Sequence, residues 1–205
     1  GLRAIVTGAA RGIGRAMALR LARDSQARCE RPAMLVVADQ IGDELEALAA
    51  ELRSQGATVH ACVGDLSDPA EPARIVEAAR GFDGLDCVAS NAGLARPASL
   101  LEATIDDWDR VFAVHVRAAW LLGRAAHPLL ARARGCFVLT TSISGSQASP
   151  PLAAYSASKP AQIMLMRQMA VEWGPDGIRV NALSPGLTVT PGTAKAYEAP
   201  GAREQ

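Results

Sequence analysis

Short apolar runs alternate with amphipathic stretches along almost the whole chain. Six runs rich in aliphatic and β-branched residues predict strands at 2–7, 34–38, 58–63, 87–90, 136–141 and 179–183, with helical patterns filling the gaps. That alternation is the mark of βαβ units around a parallel sheet. Right-handed crossovers then lead to a doubly wound α/β architecture in a single domain. Two helix starts carry their own signals: Ser67-Asp68-Pro69 reads as a cap followed by a first-turn proline, and Thr104-Ile105-Asp106-Asp107 has capping-box spacing. The stretch 25–32 reads as a mixed-charge surface loop that delays the second strand. Residues 191–205 lack periodicity and read as a loop or disordered end to a domain covering 1–190.

The turns after the strands carry the candidate chemistry. Thr7-Gly8-Ala9-Ala10-Arg11-Gly12-Ile13-Gly14 joins the first strand to the first helix. Gly8 is free to take a positive φ, Gly12 lets backbone approach a ligand, and Gly14 lets helix and strand pack closely. The helix N-terminus then offers free N–H groups and a positive dipole end to a phosphate, although any tight strand-to-helix turn also needs glycine. Asp39 ends the second strand, 25 residues after Gly14, against a usual interval of about 20. A carboxylate there accepts hydrogen bonds from ribose hydroxyls and repels a 2′-phosphate, favouring NAD over NADP; the alternative is a solvated turn aspartate. Arg11 pulls the other way, because a guanidinium can meet a 2′-phosphate. Asp65-Leu66 after the third strand and Asn91-Ala92-Gly93 after the fourth sit where strand ends line a crevice, and each also reads as a plain turn.

Charge and composition narrow the partners. The 205 residues carry 21 Lys plus Arg and 21 Asp plus Glu, so no net field points to nucleic acid or an anionic membrane. Cys29, Cys62, Cys87 and Cys136 have no paired or metal-ligand spacing and read as buried thiols in a reducing, cytoplasmic setting. His60, His115 and His127 are scattered, which gives a metal site no support. No long apolar run and no leader pattern appears after Gly1.

The acid–base chemistry lies later. Tyr155 and Lys159 are four residues apart, on one face of a predicted helix. An ammonium beside a phenol stabilises its anionic form, which equips Tyr155 for proton exchange near neutral pH. Ser142, at the end of the fifth strand, is placed to set its hydroxyl beside the same substrate oxygen.

Taken together, these residues resemble the short-chain dehydrogenase/reductase family over residues 2–190. The glycine loop matches the family's Thr-Gly-x-x-x-Gly-x-Gly motif, Asn91-Ala92-Gly93 its Asn-Ala-Gly motif, and Ser142, Tyr155 and Lys159 its catalytic serine and Tyr-x-x-x-Lys. Pro185-Gly186, with Thr188 and Thr190 beyond, matches the turn beside the nicotinamide. The resemblance implies a Rossmann-type fold and an NAD(P)-dependent alcohol dehydrogenase or ketoreductase. In it Tyr155 exchanges a proton with the substrate oxygen, Lys159 supports Tyr155 and binds the nicotinamide ribose, and Ser142 holds the carbonyl. It further implies cofactor contacts from Gly8, Arg11, Gly12, Ile13 and Gly14, and from Asp39, Asp65 and Leu66. Asn91, Ala92 and Gly93 and the Pro185 to Thr190 segment complete that set. The implied partners are a small alcohol or ketone and a homodimer or homotetramer paired through helices at 107–131 and 153–173.

Three departures stand out. His115 replaces the family's usual asparagine and is either a member of its proton relay or a helix residue satisfied by neighbours. Pro160 directly follows Lys159, where a proline inside a helix costs about 3 kcal/mol; the expectation is a local kink with Lys159 still facing Tyr155. After Thr190 the family's final helix and strand have no counterpart in the pattern. These departures leave open a nucleotide-binding protein without turnover, or a shortened fragment.

Overall fold

The computed structural model describes residues 1–191, 193 and 194. β1 (Arg3–Thr7) lies inside the sheet, flanked by β2 (Met34–Asp39) and β4 (Cys87–Ser90). β3 (Thr58–Val63), β5 (Cys136–Thr140) and β6 (Arg179–Leu183) complete an all-parallel sheet in the order β3-β2-β1-β4-β5-β6. Alternate residues of one strand serve opposite faces, and both faces are covered. Ala4 and Val6 join Leu35, Val37, Leu45 and Leu48 on the side of α1 (Gly12–Cys29) and α2 (Gly42–Ser54). Ile5 joins Val36, Val88, Phe137 and Leu139 on the other side, under α3 (Glu71–Glu77), α5 (Ala118–Ala133) and α6 (Ala153–Trp173). That double burial explains why the strands read as nearly continuous apolar runs.

The order reverses at β1, whose neighbours are β2 on one side and β4 on the other. A doubly wound sheet opens its ligand crevice beyond the carboxyl ends of the strands at such a switch point. α4 (Ile105–Phe112) begins at the expected Thr104 cap, whose Oγ1 accepts the Asp107 N–H at 3.1 Å, and runs through a π-helical turn (Ala113–Arg117) into α5.

Three local expectations fail, the first being that Cys29, expected to be buried, is exposed at the end of α1. Residues 25–29 belong to α1 and are not loop, because Ser25 is fully buried. Its Oγ accepts the Leu2 N–H at 2.9 Å and donates to the Arg31 carbonyl at 2.8 Å. α3 starts not after Ser67 but at Glu71, because Asp65 and Asp68 each accept a backbone N–H two residues on and hold the chain in turns. Most of 191–205 lies outside the described residues.

Candidate functional site

The glycine loop and the Asn91 turn meet at the switch point. Gly8 has φ +64°, and a Cβ there would lie 2.7 Å from the Ala92 Cα. At Gly14 a Cβ would lie 2.0 Å from the Gly8 carbonyl oxygen, so both positions require glycine. Asn91 shapes this loop: its Nδ2 donates to the Thr7 and Gly8 carbonyls at 3.2 Å each. Thr7 Oγ1 accepts the N–H groups of Asn91 and Ala92 at 3.0 and 3.1 Å, joining β1 to the end of β4. The N-cap residue Arg11 makes no side-chain cap to α1, whose first turn holds no acidic residue. Its amide groups are therefore available to an anion, and the loop has the form of a phosphate cradle.

Asp39 sits beside this cradle at the end of β2. Its two oxygens accept the Ala10 N–H at 3.0 Å and the Ile41 N–H at 3.1 Å, which fixes the carboxylate against the loop. Asp65 lies past β3, paired with Arg110 at 2.7 Å. Burial works against its ionised form, but the Ser67 N–H and the Arg110 guanidinium outweigh that and hold its carboxyl below the ordinary range. From the other side, Thr190 comes over the loop, its Cγ2 3.4 Å from where a Gly12 Cβ would stand. Pro185 is tied to the short turn after β5, its carbonyl accepting the Ile143 N–H at 3.2 Å. Thr188 and Thr190 are linked through Thr193, whose Oγ1 donates to the Thr188 carbonyl at 2.7 Å and accepts the Thr190 N–H at 2.9 Å.

The acid–base cluster lies where β5, the π turn and α6 come together. Ser142 follows β5 and caps a short helical turn, its Oγ accepting the Ser144 N–H at 3.2 Å. On α6 the Lys159 Nζ stands 5.0 Å from the centre of the Tyr155 ring, so the two side chains share a face. α6 continues past Pro160, which is exposed while Lys159 points inward. Lys159 is 3% exposed and donates to the Thr140 carbonyl at 3.2 Å and to Gln162 Oε1 at 2.9 Å. Burial pushes its ammonium down to about 8.

His115 meets the Tyr155 ring in a T-shaped arrangement, with centres 5.3 Å apart. Its partners fix its tautomer. Nε2 accepts the Leu94 N–H at 3.0 Å, so Nδ1 carries the hydrogen and donates to Ser158 Oγ at 2.7 Å. Ser158 in turn donates to the Tyr155 carbonyl at 2.7 Å. Burial, and then the charge on Lys159, push His115 down to about 3, which leaves it neutral at physiological pH. Both ring nitrogens thus have partners within the chain, and Gly93 makes room for the ring: a Cβ there would lie 3.1 Å from Nε2.

The chain carries a glycine cradle, an acidic residue ending β2 and a Tyr–Lys pair tied to the end of β5, and residues 3–201 match the family described as short chain dehydrogenase. The chain belongs to that family. Among short-chain dehydrogenase relatives, it is 36% identical over 194 residues to the oxidoreductase UcpA of Escherichia coli (strain K12), covering 93% of this chain and 71% of UcpA. It is 33% identical to meso-2,3-butanediol dehydrogenase of Serratia marcescens over 188 residues, or 91% and 71% of the two chains. A short chain dehydrogenase from Burkholderia cenocepacia, solved in complex with NADP, superposes with a TM-score of 0.89 at 32% identity, over 99% of this chain and 80% of that one. Among the described residues of this short-chain dehydrogenase, no helix is long and apolar enough to cross a membrane.

Sequence reasoning passed over Ser158 and Gln162, which lie on the inward face of α6 with Lys159. Gln162 stands three residues after Lys159, and helical spacing was the signal available to find it.

Proposed function

We propose that the chain is an NAD(H)-dependent oxidoreductase that interconverts a secondary alcohol and a ketone by hydride transfer, with Tyr155 as general acid and base. The observation that carries this reading is the Lys159 ammonium, buried and facing the Tyr155 ring at 5.0 Å. The cradle of Gly8, Arg11, Gly12, Ile13 and Gly14 would hold the pyrophosphate, with Asp39 taking the adenosine ribose hydroxyls. Asp65, Leu66, Asn91, Ala92 and Gly93 would line the crevice, and Pro185, Gly186, Thr188 and Thr190 would close the nicotinamide end. When bound, the nicotinamide supplies or accepts the hydride. The chain's own residues manage the proton. Tyr155 donates it to the substrate oxygen during reduction and takes it back during oxidation. Lys159 stabilises the charge left on the phenol oxygen, and the Ser142 hydroxyl holds the substrate carbonyl in line.

NAD is favoured over NADP by Asp39, because a second anion would crowd a carboxylate already pinned against the loop. The NADP seen in the Burkholderia cenocepacia protein makes this choice worth testing directly. Pairing into a homodimer or homotetramer is proposed through the face of α4, α5 and α6, where Trp120, Met164 and Val171 stand exposed.

Calorimetric titration with NADH and NADPH tests the reading, followed by a panel of secondary alcohols. The expected result is micromolar NADH binding, much weaker NADPH binding, and loss of the preference in Asp39→Ala. Tyr155→Phe should retain NADH and lose turnover. NADH binding with no alcohol oxidised would instead identify a nucleotide-binding protein without turnover.

A further inference from the structure

We propose that Gln162 is a positioning residue whose side-chain amide holds the Lys159 ammonium beneath Tyr155 and ties it to the main chain of the π turn. The inference rests on the oxidoreductase reading above. Gln162 is 1% exposed, and both ends of its amide are engaged. Oε1 accepts from Lys159 Nζ at 2.9 Å, while Nε2 donates to the His115 carbonyl at 2.8 Å. This orientation admits no reversal. An ammonium only donates and a carbonyl only accepts, so a flipped amide would set N–H against N–H and oxygen against oxygen.

The choice of an amide follows from what Tyr155 needs. The titratable groups facing Lys159 are Tyr155 on α6 and the neutral His115 on the π turn; β5 presents only the Thr140 carbonyl. Among the described residues, no carboxylate is in hydrogen-bond contact with the ammonium. A carboxylate at position 162 would neutralise the charge that stabilises a phenolate. An alkyl chain would leave the ammonium with one acceptor and free to swing away. A glutamine fixes the position and leaves the charge available. The same amide reaches His115 through its carbonyl, so α6, which carries Tyr155, and the π turn beside it are joined.

The test compares the whole chain with its Gln162→Leu and Gln162→Glu variants. The first readout needs no cofactor: the pH dependence of Lys159 acetylation by acetic anhydride, followed by peptide mass spectrometry. Loss of a charge-assisted acceptor in Gln162→Leu should lower the Lys159 midpoint by about one pH unit. In Gln162→Glu the added anion should raise it by about as much. The second readout is the pH profile of kcat with an alcohol that the chain oxidises, whose alkaline limb should move in the same directions. A packing role alone would leave the midpoint in place. Midpoints within about 0.3 pH unit of the parent in both folded variants overturn the proposal. If Gln162→Leu does not fold, Gln162→Glu decides, since it preserves volume and the acceptor oxygen. Midpoints that move in a chain that binds no NADH support the Gln162 coupling and overturn the oxidoreductase reading.

Discussion

Replacing Lys159 with methionine should change how stability depends on pH, and the size of the change follows from burial. In the unfolded chain this lysine titrates at its ordinary 10.5, whereas in the folded chain burial holds it at about 8. Below pH 8 both states carry the proton, and folding bears the cost of keeping an ammonium out of water. Between 8 and 10.5 the unfolded chain keeps a proton that the folded chain has lost, so stability rises with pH. The cost is relieved by pH 10.5 and amounts to about 3 kcal/mol. Lys159→Met cannot titrate there. It also strips a donor from the Thr140 carbonyl and Gln162 Oε1, but that penalty is a constant offset. The informative quantity is therefore the stability of the parent minus that of the variant, from which groups common to both cancel. This difference should climb by about 3 kcal/mol from pH 7 to pH 11, most steeply between 8 and 10.5. Urea unfolding followed by the fluorescence of Trp108, Trp120 and Trp173 measures it. A difference flat to within about 0.5 kcal/mol across that range would refute the argument that Lys159 is held charged in a site that resists charge.

Gly14→Ala should weaken NADH binding at least tenfold, about 1.4 kcal/mol, because the new methyl meets the Gly8 carbonyl at 2.0 Å; fluorescence titration reads the loss. His115→Ala should cost about 3 kcal/mol or more in denaturant unfolding, since it opens a cavity, strands the Leu94 N–H and removes the donor to Ser158 Oγ. Cys136 should react with iodoacetamide well before Cys87, its partner in register on the neighbouring strand. The neighbouring Cys87 thiol, and then the Arg179 guanidinium, bring the Cys136 thiol below its ordinary range, while Cys87 is pushed up. Peptide mapping at pH 7 that finds both thiols labelled at one rate would contradict this.

The strands were legible because each is buried on two faces, so apolar character persists along the run and does not depend on alternation. β2 differs from its expected span by one residue and β3 not at all. The glycine loop was legible because Gly8 and Gly14 have no room for a side chain. What escaped notice was tertiary. Ser25 reads as loop by its polarity, yet the Leu2 N–H and the Arg31 carbonyl draw it into the core and lengthen α1. The late start of α3 is instead local: Asp65, already readable as a turn, and Asp68 carry turn chemistry stronger than the Ser67 cap. Gln162, passed over in the sequence, acquires a role only when the π turn brings the His115 carbonyl to it.

Pro160 shows why local rules and the site disagree here. A proline after Lys159 leaves the Ser156 carbonyl without its usual N–H partner, a cost that local propensity alone would avoid. Pro160 itself is exposed, and the inward residues on either side are fixed by side-chain contacts. Ser158 is held by His115, Lys159 by Thr140 and Gln162, and Gln162 by the π turn. Four hydrogen bonds between α6 and its neighbours, or along its inward face, thus set the direction of Lys159 independently of the bond that Pro160 removes. Each contributes about 1 kcal/mol or more where a charge takes part, which together matches the penalty of the proline. On this argument Pro160→Ala should stabilise the chain while leaving the Lys159 midpoint unchanged. If the midpoint moves with the proline, the helix backbone rather than the surrounding amide and carbonyl groups aims the ammonium at Tyr155.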